Sequence, residues 1–155
     1  MSRTRAVAPA LGAICLLAVT LLTTVSVGAT AMAFSPAEPI PQAAFDLSAT
    51  ADGGLTFVHA GGETVQTDRL SVHLSVDGEP VTHQPSIPFV GSHGYVGSPT
   101  GVFNAASDGR WTAGERATLR LAATNAPELR DGSTVRAVLR TERGVVARLS
   151  TTARG

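Results

Sequence analysis

Residues 6–37 read AVAPALGAICLLAVTLLTTVSVGATAMAFSPA, a run of 32 residues without a charged side chain. As a helix that rises about 1.5 Å per residue, its apolar part from Val7 to Phe34 would be about 42 Å long, more than the ~30 Å hydrocarbon core of a bilayer. Arg3 and Arg5 precede the run, and basic flanking residues favour the cytoplasmic side of a membrane. The sequence therefore predicts a transmembrane helix over 7–34, with the N-terminus in the cytoplasm and the residues after the helix outside the cell.

Three interpretations of this segment compete. A cleavable secretory signal has a basic start, an apolar centre and a cleavage site formed by small residues. Ala31-Met32-Ala33 would provide that cleavage site. Against it, the apolar run is longer than the roughly 7–15 residues that are usual for the centre of such a signal. An uncleaved anchor is equally compatible with the length and the flanks. The third interpretation depends on the local order of residues.

That order resembles haloarchaeal type IV pilins, which carry a basic leader ending in Arg-Ala, a Val-Ser-Pro-Val-Ile-Gly motif and a run of Leu, Val, Ala, Ile and Thr. Residues 55–65, LTFVHAGGETV, before a strand that begins near Leu70, also resemble the domain that follows the helix in these pilins. The positions that match the leader and motif in register are Arg5, Ala6, Val7, Pro9 and Gly12, whereas Ala8, Ala10 and Leu11 replace Ser, Val and Ile.

The resemblance implies that a prepilin peptidase cleaves between Ala6 and Val7 and leaves the apolar helix on the mature protein. It further implies assembly with other pilin subunits into a cell-surface filament that serves adhesion. The domain organisation is then a leader at 1–6, a hydrophobic helix at 7–34, a Pro-rich spacer at 35–42 and a β domain at 43–155.

The β domain is predicted from alternation of apolar and polar residues. Leu70, Val72, Leu74 and Val76 alternate with polar residues and end at Asp77-Gly78, which is typical of a strand followed by a tight turn. Similar patterns recur at about 8–12-residue spacing to the end of the chain, without a helical pattern after residue 35. We therefore expect an antiparallel β-sandwich of immunoglobulin-like type.

Residues 84–109 lose this periodicity and are rich in Gly and Pro. A structureless loop of that length is uncommon in a compact domain, and loops with exposed aromatic residues often bind partners. Phe89, Tyr95 and Phe103 are the candidate contact residues. The alternative is an irregular crossover between two sheets.

Charge is balanced over the whole chain, with 12 basic and 12 acidic residues, which argues against an ordinary nucleic-acid-binding protein. The distribution is uneven, since residues 35–109 carry a net −7 and residues 110–155 a net +5. Such asymmetry would orient subunits head to tail, or simply reflect acidic and basic strands that pair within one fold.

Motifs for catalysis or metal binding are not recognisable in the sequence. The four histidines, at 59, 73, 83 and 93, do not show a close ligand spacing, and Cys15 is the only cysteine. We expect a protein that is not an enzyme and that needs no cofactor or metal.

Small residues four apart recur in the apolar segment, at Ala8 and Gly12 and again at Thr24 and Gly28. This spacing lets helix backbones approach closely in an apolar setting. Two functions remain open: a pilin-like filament subunit whose helices bundle, and a membrane-anchored or secreted β-sandwich module that binds a partner through residues 84–109. The sequence does not distinguish a major from a minor subunit.

Overall fold

The computed structural model of the protein describes residues 12–20 and 39–155. The chain divides into two compact units, Met1–Glu38 and Pro39–Gly155. The leader, most of the predicted 7–34 helix and the first half of the spacer lie outside the described residues.

The described part of the first unit is one helix, α1, over residues 12–20. Its sequence, GAICLLAVT, is rich in Ala and Leu, which lose little side-chain freedom in a helix. The Thr20 hydroxyl donates to the carbonyls of Leu16 at 3.0 Å and Leu17 at 2.9 Å, so this hydroxyl bonds to the helix's own backbone. Residues 12–20 agree with the predicted helix. Within the described ranges, no helix is long and apolar enough to cross a membrane.

The second unit is built from short β-strands joined by turns, with one 3₁₀ turn at Thr67–Arg69. The strands, numbered in chain order, are β1 (Ala43–Ala49), β2 (Gly54–Gly62), β3 (Val65–Gln66), β4 (Ser71–Val76), β5 (Glu79–Pro80), β6 (Thr100–Gly101), β7 (Arg110–Trp111), β8 (Arg116–Arg120), β9 (Thr134–Thr141) and β10 (Gly144–Thr152).

These strands form two four-stranded sheets and one small pair. Sheet 1 has the order β1-β2-β8-β6, sheet 2 the order β10-β9-β4-β5, and β3 pairs with β7. Every pair of neighbouring strands is antiparallel. The edge strands β1 and β10 lie side by side, and a parallel bridge joins Thr50 to Arg154 just beyond their ends. The prediction of an antiparallel β domain after the helix is therefore confirmed.

One hydrophobic core joins the inward faces of both sheets. Phe57 of β2, Leu74 of β4 and Leu139 of β9 are fully buried, as the alternation predicts. The rings of Phe103 and Trp111 fill the centre, with their centroids 5.1 Å apart and Phe103 5.3 Å from Phe57. These aromatic side chains supply a large share of the apolar area that folding removes from water.

The turn between β4 and β5 shows how local sequence sets the strand direction. Asp77 and Gly78 have φ angles of 52° and 92°, the left-handed values that a two-residue Asp-Gly hairpin turn requires. Asp77 also exchanges hydrogen bonds with Thr134 at the start of β9, because its carboxylate accepts from the Thr134 N–H at 2.7 Å and its own N–H donates to the Thr134 carbonyl at 2.8 Å. The turn predicted at Asp77-Gly78 is confirmed.

The turn between β1 and β2 is held by Asp52. Its carboxylate accepts from the Thr50 hydroxyl at 2.5 Å and from the Gly54 N–H at 3.2 Å, and it forms an ion pair with Arg120 of β8. The hydrogen bonds from Thr50 and Gly54, together with the positive charge of Arg120, lower the pKa of Asp52 below its ordinary value. The folded turn therefore stabilises the ionised carboxylate of Asp52.

Candidate functional site

The segment 84–109, here called the contact loop, begins four residues after β5 and ends just before β7, and it crosses between the two sheets. It contains the two-residue strand β6, which pairs with β8 at the edge of sheet 1. Phe89 forms a bridge with Asn104, so the two halves of the loop lie against each other. The loop is therefore tied to the domain at several points along its length.

The three aromatic residues predicted as contact residues are buried. Phe89 is 7% exposed, Tyr95 9% and Phe103 0%. Phe103 packs in the central core, and the rings of Phe89 and Tyr95 lie 5.5 Å apart. The expectation that these side chains are exposed for a partner is wrong, because each fills apolar space under the loop. Whether the loop itself contacts a partner stays a prediction.

The side chains that the contact loop does expose are aliphatic. Val90 is 64% exposed and Val96 is 54% exposed, and they are the large hydrophobic residues of the 39–155 unit that stand out in this way. Between them in sequence, residues 91–95 line a shallow depression together with Ala122 and Thr124. Two exposed valines beside a depression are a small surface for an apolar contact.

Asn125 fixes the position of the contact loop from beneath. It is fully buried, and its side-chain amide donates to the carbonyls of His83 at 3.0 Å and Gly94 at 3.1 Å. Its carbonyl oxygen accepts from the His83 N–H at 2.8 Å. One side chain thus joins the chain before the loop to the middle of the loop, so both segments depend on its amide.

Tyr95 adds a second bond at the same place. Its hydroxyl donates to the His83 carbonyl at 2.8 Å, the carbonyl that Asn125 also contacts. Burial raises the pKa of Tyr95 well above its ordinary value, so the phenol stays protonated and serves as a donor. The ring fills space while the hydroxyl satisfies a backbone acceptor, as buried tyrosines usually do.

Gly94 is required by the closeness of this packing. Its φ is 82°, and a Cβ placed there would lie 2.7 Å from the Asn125 side-chain nitrogen and 2.9 Å from the His83 Cβ. Any larger residue would both strain the backbone and displace Asn125.

Gln84, at the start of the contact loop, covers the part of the β4 edge that lies beyond the two-residue strand β5. Its side-chain oxygen accepts from the Leu74 N–H at 2.7 Å, and its side-chain nitrogen donates to the Leu74 carbonyl at 2.9 Å. The amide therefore bonds to β4 as a neighbouring strand would. Neither Gln84 nor Asn125 was identified from sequence as a site residue, since a single polar residue in a loop carries no signal of a partner 10 or 42 positions away.

The predicted processing and packing residues fall almost wholly outside the described residues. These are Arg5, Ala6, Val7, Ala8, Thr24 and Gly28. Gly12 is described, at the start of α1, and a Cβ added to it would meet nothing within 4 Å. The space that a side chain at position 12 would occupy is thus open within the described chain, and a larger residue would fit there.

The histidines do not form a metal centre among the described residues. His83 and His93 lie closest, with ring centroids 6.3 Å apart at the contact loop. Within residues 12–20 and 39–155 there is no group of three His, Cys, Asp or Glu side chains that could hold a metal ion.

The features that bear on function are therefore an apolar helix and an anchored loop with two exposed valines. No protein-family model matches this chain, and no curated protein sequence matches it.

Proposed function

We propose that this protein is a type IV pilin-like structural subunit. In this proposal a prepilin peptidase cleaves between Ala6 and Val7, and the mature protein is held in the membrane by a single span over 7–34. Subunits then assemble through that helix into a cell-surface filament, with the C-terminal domain outside the cell. The role is structural and adhesive, with no catalytic step.

The observation that carries the proposal is the exposed apolar surface of α1. Ile14, Leu16, Leu17 and Val19 are 59–69% exposed. At about 100° per residue, these four positions are distributed around the whole helix and do not form one stripe. A helix that is apolar all round is stable only when something covers it, such as lipid or other helices. A subunit that bundles its helices would cover it on every side.

We also propose that the C-terminal domain is an immunoglobulin-like sandwich, and the strand order supports this proposal. In such domains the strands A, B, E and D form one sheet and C, F and G the other. Assigning β1, β2, β6 and β8 to A, B, D and E gives the order of sheet 1, and assigning β4, β9 and β10 to C, F and G gives that of sheet 2. The short β5 then takes the place of an added strand beside C.

A second candidate function is a membrane-anchored or secreted binding module. The exposed Val90 and Val96 of the contact loop favour it, because paired aliphatic residues on an anchored loop offer a small contact surface. This function needs no cleavage after Ala6 and no helix bundle.

The N-terminus of the mature protein tests the proposal. Mass spectrometry of protein isolated from its native cells should identify Val7 as the first residue. A protein that begins at Phe34 would indicate a secreted module, and an intact leader would indicate a plain anchor. Either of these results would overturn the pilin-like function.

A further inference from the structure

The outer face of sheet 2 carries three exposed arginines that take part in neither of the ion pairs of the described domain. The register aligns Arg136 of β9 with Ser150 and Ser75, and Arg140 with Ser71. Arg148 of β10 lies opposite Val138, between the two arginines of β9 along the strand direction. These three exposed arginines, here called the arginine face, therefore alternate between two neighbouring strands.

Strand geometry sets the spacing of the arginine face. Arg136 and Arg140 are four residues apart on one strand, which corresponds to about 14 Å, and Arg148 sits at the level midway, on a strand about 4.8 Å to the side. The guanidinium groups can therefore follow a line along the strands, one for about every 7 Å. Hydroxyl groups of serine alternate with them on the same face.

The two sheets differ in whether acidic side chains lie beside their outward-facing arginines. On sheet 1, Arg120 forms an ion pair with Asp52, and Asp46 lies in the same cross-strand row as Arg116. On the arginine face the outward positions of β4, β9 and β10 contain no acidic residue. Among the described residues, the ion pairs are Arg120 with Asp52 and Arg130 with Glu128, so neither involves the arginine face.

We propose that the arginine face binds a linear anionic polysaccharide, through its carboxylate or sulfate groups. Guanidinium groups bind such oxyanions with paired, charge-assisted hydrogen bonds, and the hydroxyls of Ser75 and Ser150 supply further donors beside Arg136. The Ser71 hydroxyl already donates to the Arg140 carbonyl at 3.3 Å.

All six Phe, Tyr and Trp residues of the 39–155 unit are buried, so the arginine face lacks the large ring surfaces on which nucleic-acid bases stack. The exposed imidazole of His73 lies on the face, in the same cross-strand row as Arg148. This inference does not depend on how the N-terminus is processed or on whether the chain forms filaments.

The test uses the full-length protein in a non-ionic detergent and immobilised polymers. Dextran sulfate represents sulfated chains, polygalacturonate represents carboxylated chains, and neutral dextran is the uncharged reference. We expect binding to one or both anionic polymers that weakens as salt is raised, and at least tenfold weaker binding to neutral dextran. The comparison of the two anionic polymers identifies the preferred acid group.

Two triple variants with the same change in net charge locate the site. The face variant replaces Arg136, Arg140 and Arg148 with Ser, and its affinity should fall at least tenfold. The control variant replaces the exposed Arg110, Arg116 and Arg154 with Ser and should lose less than threefold. Equal losses in both variants would mean that only net charge matters and would overturn the proposal.

A single substitution covers the case in which the triple variant does not fold. Arg148→Ser lies on the edge strand of sheet 2, leaves β9 unchanged and should weaken binding about threefold. Unchanged binding by a folded Arg148→Ser protein would contradict the proposal. Absence of binding to both anionic polymers at low salt, or tighter binding to a single-stranded oligonucleotide than to either, would also overturn it.

Discussion

Replacing Asn125 with Ala should destabilise the domain and release the contact loop. The substitution removes three hydrogen bonds from a fully buried side chain. The His83 carbonyl keeps its bond from Tyr95, and the Gly94 carbonyl keeps one from the Ala122 N–H. The His83 N–H loses its acceptor. The two bonds to carbonyls that keep another donor contribute about 1 kcal/mol each, and the orphaned His83 N–H costs about 1–3 kcal/mol, so the free energy of unfolding should fall by about 3–5 kcal/mol.

Urea unfolding and amide hydrogen exchange measure the two consequences separately. The unfolding midpoint should fall, and exchange at the His83 amide and around Gly94 should accelerate. Asn104→Ala is the matched control, because that side chain also makes two loop hydrogen bonds, to the Pro99 carbonyl at 2.9 Å and from the Ala106 N–H at 2.8 Å, but only to near neighbours. A loss for Asn125→Ala no larger than for Asn104→Ala would refute the view that Asn125 holds the loop to the domain.

Three further predictions concern other parts of the chain. Gly12→Leu meets no steric obstacle within the described chain and improves helix propensity by up to about 1 kcal/mol, so the helix itself should form. If helices pack closely at this position, the variant should remain as processed, membrane-held monomers. Filaments at normal abundance in electron microscopy would contradict close packing there. Gln84→Ala should lower the free energy of unfolding by about 1–3 kcal/mol and speed exchange of the Leu74 amide, whereas unchanged exchange there would exclude the edge-protecting role. Because the folded turn lowers the pKa of Asp52, ionised Asp52 stabilises the fold above its unfolded pKa near 3.8, and this stabilisation is lost as pH falls through the lower folded value. Asp52→Asn should therefore make the free energy of unfolding less dependent on pH in that acid range. An unaltered acid profile would show that the turn is insensitive to this charge.

The strands could be predicted because a period of two is a local property of the sequence. Val72, Leu74 and Val76 alternate with polar residues, and all three are buried on the core side of β4. The burial of Val135, Ala137 and Leu139 on β9 follows in the same way. Each choice of inward face depends only on residues within the strand, so no knowledge of the partner strand is needed.

The contact loop could not be predicted because its structure depends on distant residues. Phe89 and Tyr95 look like exposed aromatic residues in a Gly-rich and Pro-rich segment, yet both are buried. The segment around Tyr95 is held by bonds between residues far apart in sequence, those of Asn125 to His83 and Gly94, and the Phe89 ring packs against the Tyr95 ring. In the sequence, Asn125 lies two residues before Pro127, a pattern that indicates only a turn. A loop can be recognised from lost periodicity, but its packed side cannot be distinguished from its exposed side.

The two units differ in how much apolar side-chain surface they expose, and this difference bears on which unit gains more from being covered. The domain covers its large apolar side chains in its own core and exposes Val90 and Val96. In contrast, α1 exposes four large aliphatic residues within nine positions. Complete burial of such a side chain contributes about 1.5–3 kcal/mol, so covering the exposed parts of these four residues contributes about 4–8 kcal/mol, against about 2–3 kcal/mol for the two valines. Removal of the helix from water is therefore the larger apolar contribution. Because lipid covers these side chains as well as other helices do, this energy favours membrane insertion as much as assembly, and helix packing must supply any further preference for a filament.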